Sequence, residues 1–227
     1  MNVVITGAGR GIGLGFVRHY LSKGANVWAC YRSDNSKLEA IDSPGLRTVQ
    51  WDVIDDKGQA FIDESRLPDT IDILVNNAGI YGPDKDGAQS LDKISPESML
   101  DVFNVNCVGP LRVVQLLKKR LITAKGRIAN ISSKMGSTED NTSGGCYAYR
   151  ASKCALIMVS KSMAIDLAPY DIRVISLHPG WVKTDMTMNN GLIDVEESVL
   201  GMSGVIDNIE NYSPGAFVKY DGEVIPC

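Results

Sequence analysis

Two residues four apart, Tyr149 and Lys153, are the pair in this chain most suited to moving a proton. On a helix they share one face, about one turn apart. A phenol can give a proton to a developing oxyanion, and a phenolate can take one from a hydroxyl. Free tyrosine titrates near ~10, too high for a good base at neutral pH. An ammonium at ~6 Å, with an effective dielectric of ~20, favours the phenolate by roughly 3 kcal/mol, or about two pKa units. The spacing therefore predicts a tyrosine of lowered pKa. The same spacing also occurs on any solvated helix face, so the pair needs corroboration. Tyr147, two residues earlier, has Ala151 four residues on and lacks the lysine; it reads as a wall residue.

A second feature suits an anion. The turn Thr6-Gly7-Ala8-Gly9-Arg10-Gly11-Ile12-Gly13 follows the β-branched run Val3-Val4-Ile5. After it, Ile12, Phe16, Val17, Tyr20 and Leu21 recur near the helical period, and Gly24 follows the expected helix end. Backbone N–H groups at a helix start attract a phosphate, and glycines let it approach closely. The spacing is G-x-x-x-G-x-G, on Gly7, Gly11 and Gly13. No Gly-Lys-Ser/Thr follows, which excludes a phosphate-cleaving P-loop. A plain tight turn is the alternative; the strand before and the helix after weigh against it.

The remaining elements alternate. Strands are expected at Val27–Tyr31, Leu46–Trp51, Ile71–Asn76, Arg127–Ile131, Arg173–Leu177 and near Phe217–Tyr220. Helices are expected at Lys57–Ser65, from Ser95 (cap, with Pro96 at N1) to about Lys119, at Tyr147–Leu167 and at Val195–Ile209. Such alternation predicts a Rossmann-like α/β fold, a doubly wound parallel sheet with helices on both faces. Ligands in such folds sit at the carboxyl ends of the strands. The 227 residues, 44% apolar and 22% charged, contain no repeat or linker and fit one domain over residues 1–227.

Net charge is −4, which opposes nonspecific nucleic-acid binding. No apolar run approaches the ~20 residues that span a bilayer, and glycines arrive too early for a signal peptide. A soluble cytoplasmic protein, with no membrane partner, is expected. Five scattered cysteines (Cys30, Cys107, Cys146, Cys154 and Cys227) and two distant histidines, His19 and His178, fit neither a disulfide framework nor a metal site.

Four motifs in order resemble the short-chain dehydrogenase/reductase family. They are the TGAGRGIG turn, Asn76-Asn77-Ala78-Gly79, Tyr149-Arg150-Ala151-Ser152-Lys153, and His178-Pro179-Gly180 with Val182 and Thr184 beyond it. They run from Thr6 to Thr184. The stretches SSKMGSTEDNTSGG and HPGWVKTDM look most like the C-factor-like and sniffer-type carbonyl reductase branch. The resemblance implies a sheet of about seven strands and hydride exchange between a nicotinamide cofactor and a small carbonyl or alcohol substrate. Tyr149 and Lys153 would then be catalytic and would also bind the cofactor. It implies that Ser133 holds the substrate carbonyl, with Ser132 as the alternative. Asn106, in Asn106-Cys107-Val108-Gly109, would kink the middle helix and hold a water relaying protons to the lysine. Cofactor contacts would come from Gly7, Gly9, Arg10, Gly11, Ile12, Gly13, Asp52, Val53, Asn76, Asn77, Ala78, Gly79, Pro179, Gly180, Val182 and Thr184.

The cofactor choice turns on Tyr31-Arg32-Ser33-Asp34. An acid at the end of the second strand receives ribose hydroxyls, whereas arginine meets a 2′-phosphate. Tyr31 stands at the acid's place, Arg32 is next, and Arg10 points to the same region in the family. NADP(H) is therefore expected, with Asp34 as the contrary feature. The sixteen residues from Ser133 to Tyr149 exceed the spacing of many relatives, so the polar segment within Ser137–Gly145 is expected to loop over the site. Met186, Met188, Leu192 and Ile193 read either as an apolar substrate wall or as core. The long middle helices imply a homodimer or homotetramer. A cofactor-binding signalling or regulatory protein with little turnover is the competing reading; an isomerase or dehydratase on the same fold is a third.

Overall fold

The structure is a computed structural model and describes residues 1–54, 66–83 and 87–227. The expected helix at Lys57–Ser65 lies outside these residues. Seven parallel strands form one sheet in the order β3-β2-β1-β4-β5-β6-β7. They are β1 (Asn2–Ile5), β2 (Asn26–Tyr31), β3 (Leu46–Gln50), β4 (Ile73–Asn76), β5 (Arg127–Ile131), β6 (Arg173–His178) and β7 (Phe217–Lys219). The helices, in chain order, are α1 (Gly11–Ser22), a short α2 (Ser36–Glu39), α3 (Pro96–Phe103), α4 (Gly109–Ala124), α5 (Tyr147–Leu167) and α6 (Val195–Asp207). The fold is Rossmann-like. Winding reverses between β1 and β4, and this switch point opens a crevice at the strands' carboxyl ends.

Strand alternation sorts the core into two layers. Val3, Ile5, Val27, Ala29, Val75, Ala129 and Leu177 pack on one face, against α1 and α6. Val4, Trp28, Cys30, Leu74, Ile128 and Val174 pack on the other, against α4 and α5. The register is direct: Ile5 pairs with Ala29 on one side and Val75 on the other.

The helix expected from Ser95 to Lys119 is not continuous. Ser95 caps α3 as expected, its hydroxyl accepting from the Ser98 N–H at 3.1 Å. A π-helical turn then occupies Asn104–Val108 before α4 resumes and runs to Ala124. Its cause is local. The buried Asn106 side chain reaches out to the Ile80 backbone, accepting from its N–H at 2.9 Å and donating to its carbonyl at 2.8 Å.

Candidate active site

The glycine turn joins β1 to α1. Gly7 has φ +62°, and a Cβ there would meet the Ala78 Cα at 2.8 Å. A Cβ on Gly13 would strike the Gly7 carbonyl oxygen. These glycines thus let the turn close on itself and on the end of β4. Asn77 fastens that junction, its Nδ2 donating to the carbonyls of Thr6 at 3.1 Å and Gly7 at 3.0 Å. Helix α1 starts at Gly11 with no side-chain cap and no acidic residue in its first turn. Its positive end therefore faces the crevice uncompensated, as an anion-binding helix start requires.

One cleft gathers Gly7, Gly9, Arg10, Gly11, Ile12, Arg32, Asp52, Val53, Asn77, Ala78, Gly79 and Thr184. Sequence reading singled out all twelve. Tyr31, Ser33 and Asp34 line the same cleft, as do Trp51, Ile80, Val105, Asp185 and Met186. Met186 is one of the residues read as wall or core; Trp51, Ile80, Val105 and Asp185 carry no motif of their own, and only their chain neighbours pointed to the place. Gly13, Pro179, Gly180 and Val182 stand outside the lining. Gly13 packs on Gly7. The Pro179 carbonyl accepts from Ser198 Oγ at 2.6 Å, and Val182 bridges Ile193.

Asn76 departs from expectation. Its side chain is 2% exposed and donates to Asn130 Oδ1 at 2.8 Å, while Asn130 donates to Ser160 Oγ at 2.7 Å. As the last residue of β4, it points into the sheet's helix-covered face, not the cleft. Asp34 stays in the cleft lining beside Arg32, its Oδ1 accepting from the Ser36 N–H at 3.0 Å. Arg10 lies within 3.4 Å of the Asp185 carboxylate, both side chains being well exposed.

The reaction-type residues meet beside this cleft. Tyr149 and Lys153 lie in the first two turns of α5, 9% and 5% exposed. Lys153 Nζ is 5.7 Å from the Tyr149 ring centre and donates to the Ile131 carbonyl, at the end of β5, at 2.8 Å. The two serines after β5 separate by strand alternation. Ser132 Oγ donates to the Lys153 carbonyl at 3.0 Å and so anchors α5. Ser133 heads the turn Lys134–Gly136; its hydroxyl accepts from the Met135 N–H at 3.2 Å and lies near enough to the Tyr149 phenol to favour its ionised form. Asn106 Nδ2 spends its second hydrogen on Ser152 Oγ at 3.0 Å. That nitrogen has no hydrogen left for the expected water. Tyr147 is half exposed and lies outside the set.

The electrostatics correct one expectation. Burial pushes the Tyr149 phenol up to about 12, with the Ser133 hydroxyl only partly opposing it. Burial also brings the Lys153 ammonium down to about 8. Taking both groups from water outweighs the attraction estimated from spacing alone.

The segment after Ser133 is held to the helix, since Arg150 donates to Ser143 Oγ at 2.8 Å and to the Met135 carbonyl at 3.2 Å. Met186, Met188 and Leu192 are exposed, not core, and Met186 lines the cleft.

His178 ends β6 with its buried Nδ1 unpartnered. Burial first, then Lys134 and Lys219, push it down to about 4, against opposing pulls from Asp140 and Asp221. The folded protein therefore resists a proton that the unfolded chain accepts near ~6.5. Stability should fall as pH drops from about 6.5 through 4, by roughly 3 kcal/mol for this group. A His178→Leu variant should show a flatter melting temperature between pH 7 and pH 4. Parallel curves for the two proteins would remove His178 from the account.

A family model described as short chain dehydrogenase matches residues 1–192. The chain belongs to the short-chain dehydrogenase family. The C-signal protein of Myxococcus xanthus is 40% identical over 157 residues, covering 69% of this chain and 92% of that protein. Carbonyl reductase Sniffer of D. melanogaster superposes with a TM-score of 0.90 at 32% identity, covering 100% of this chain and 99% of that one. An NADPH-bound carbonyl reductase from chicken fatty liver gives 0.89 at 32% identity, with 100% and 98% covered. This family of oxidoreductases uses nicotinamide cofactors and acts on small molecules. No helix among the described residues is long and apolar enough to cross a membrane.

Proposed function

We propose that this member of the family is an NADP(H)-dependent reductase of small carbonyl compounds, or equally a dehydrogenase of the matching alcohols. The observation that carries this reading is the buried Ser133–Tyr149–Lys153 set beside a cleft rimmed by Arg10 and Arg32. Bound nicotinamide would supply or accept the hydride. The uncapped start of α1 and the glycine turn would hold its pyrophosphate, and Lys153 its nicotinamide ribose. Ser133 would hold the carbonyl oxygen by a hydrogen bond. Tyr149 would pass its phenolic proton to that oxygen as negative charge develops, and Lys153 would stabilise the phenolate left behind. Asn106 would set the helix bend behind Gly79 and Ser152.

Arg32 is the proposed cofactor selector, with Arg10 as the lesser partner. A guanidinium meets a 2′-phosphate through charge-assisted hydrogen bonds. Such bonds are worth roughly 1.5–3 kcal/mol each, about one to two orders of magnitude. Arg32→Ala should raise the KM for NADPH by about 10- to 100-fold and leave that for NADH nearly unchanged. The unmodified protein should show a higher kcat/KM with NADPH than with NADH across a panel of aldehydes and ketones. Preference for NADH would overturn the cofactor assignment.

We place the enzyme in the cytoplasm, acting as a single domain in a homodimer or homotetramer. Exposed Leu100 and Phe103 on α3, and Met158 and Ile165 on α5, favour self-association through these helices. Sedimentation at micromolar protein tests this. The similarity to C-signal favours a second reading, a regulatory protein with little turnover. Absence of NADPH oxidation with every member of the panel, despite tight NADPH binding, would favour it.

A further inference from the structure

Helix α5 carries Tyr149 in its first turn, yet that turn is not capped in the ordinary way. Its N-cap, Cys146, is left-handed at φ 50° and makes no side-chain cap hydrogen bond. N–H groups in a first helical turn have no partner within the helix and must find one elsewhere. Here a residue far along the chain supplies it. Gln89 Oε1 accepts from the Tyr149 N–H at 3.0 Å, and the Gln89 carbonyl accepts from the Tyr147 N–H at 3.4 Å. The other end of the same amide is also committed, as Gln89 Nε2 donates to the Tyr81 carbonyl at 2.9 Å.

Gln89 is thus buried between two tyrosines, one held by each end of its amide. The Tyr81 ring lies 5.0 Å from the Tyr149 ring, tilted by 43°. Its hydroxyl is 2.9 Å from Cys146 Sγ, which ties the loop after β4 to the start of α5 a second time. Gly82 follows in the same loop at φ +94°, where a Cβ would meet Val102 Cγ2 at 2.7 Å.

We infer that Gln89 is a positioning residue for the reaction, its amide oxygen fixing Tyr149 against Ser133 and its amide nitrogen fixing Tyr81 as a wall of the substrate site. The inference rests on the reading of Tyr149 as proton donor. The two halves of the amide have separable consequences. Loss of the acceptor lets the first turn of α5 shift, which moves the Tyr149 phenol away from the Ser133 hydroxyl. Misplacement of a reacting group by about 1 Å can cost about a hundredfold in rate. Loss of the donor frees the Tyr81 loop, which alters the fit of the carbonyl compound and leaves the proton path in place.

Two substitutions separate these effects. Gln89→Met removes both hydrogen bonds at similar length. Gln89→Glu keeps an acceptor for the Tyr149 N–H and removes the donor to Tyr81. Both are compared with the unmodified protein and with Tyr149→Phe, using benzaldehyde or the panel carbonyl that is reduced fastest. NADPH affinity is read separately from quenching of protein fluorescence. With NADPH affinity unchanged, Gln89→Met should lower kcat by about 10- to 100-fold. It should also move the ascending, acid-side limb of the alcohol-oxidation pH profile to higher pH, because oxidation needs the phenolate and the Ser133 contact that favours it is weakened. Gln89→Glu should keep kcat within about threefold of the unmodified protein while raising the carbonyl KM.

Unchanged kcat and an unmoved pH limb in Gln89→Met would overturn the inference. Should that variant fail to fold, Gln89→Glu decides: kept kcat with raised KM supports the inference, and any other pattern overturns it. Full activity of Tyr149→Phe would instead strike the underlying assignment of the proton donor, and the inference with it.

Discussion

Replacing Tyr149 with phenylalanine should cut carbonyl reduction by about a thousandfold, within the range expected when a general acid is removed. NADPH affinity should stay within about twofold. The ring is buried against Tyr81, and phenylalanine fills the same space. Only the hydroxyl that meets Ser133 is lost. Stability should change in a defined direction as well. Because burial raises the phenol to about 12, the folded protein holds this proton where the unfolded chain releases it, near ~10. Stability therefore falls as pH rises through the window from about 10 to 12, and the phenylalanine variant lacks this contribution. Near-normal turnover by the folded variant would move the proton to another donor.

Lys153→Met should weaken NADPH binding and lower kcat together, by about a hundredfold in kcat/KM, since one ammonium serves both tasks. Its stability signature is distinct. Burial lowers the ammonium to about 8, whereas the unfolded chain keeps its proton to ~10.4. Between these values the unfolded chain binds more protons, so the stability of the unmodified protein rises with pH. The rise is about 3 kcal/mol across the window if the whole shift is expressed. The variant should show no such rise. Denaturation of both proteins at pH 7.5 and pH 10 measures this; equal pH dependence would mean that Lys153 is not held as a buried cation.

The sheet was legible because its signals are local. β-branched runs alternate with helical periods, and each strand's two faces need apolar partners. The glycine turn and the Tyr149–Lys153 spacing were equally plain. Other features depend on approach between distant segments. Asn76 shares a motif with Asn77, but adjacent residues of a strand face opposite sides, and only packing reveals that Asn76 belongs with Asn130. Ser132 and Ser133 cannot be told apart until α5 is set beside β5. The pKa of Tyr149 was misjudged because spacing gives the distance to a charge and not the depth of burial. Gln89 carries no motif at all, since its partners lie eight and sixty residues away.

The π turn at Asn104–Val108 also acts as a phase shifter between two helices. Each residue of an α-helix turns the chain by about 100°, and a π turn inserts one residue beyond the regular count. Everything before it is therefore rotated by roughly a quarter-turn relative to everything after it. Before the bulge, Leu100 and Phe103 face outward; beyond it, Val113, Leu117 and Leu121 face the core. A single deletion within Asn104–Val108 would restore a regular helix at the cost of this rotation. It would turn Leu100 and Phe103 away from the surface they now occupy, or draw Asn106 off Ile80. One residue of chain length thus sets the aim of a surface and of a buried amide at once.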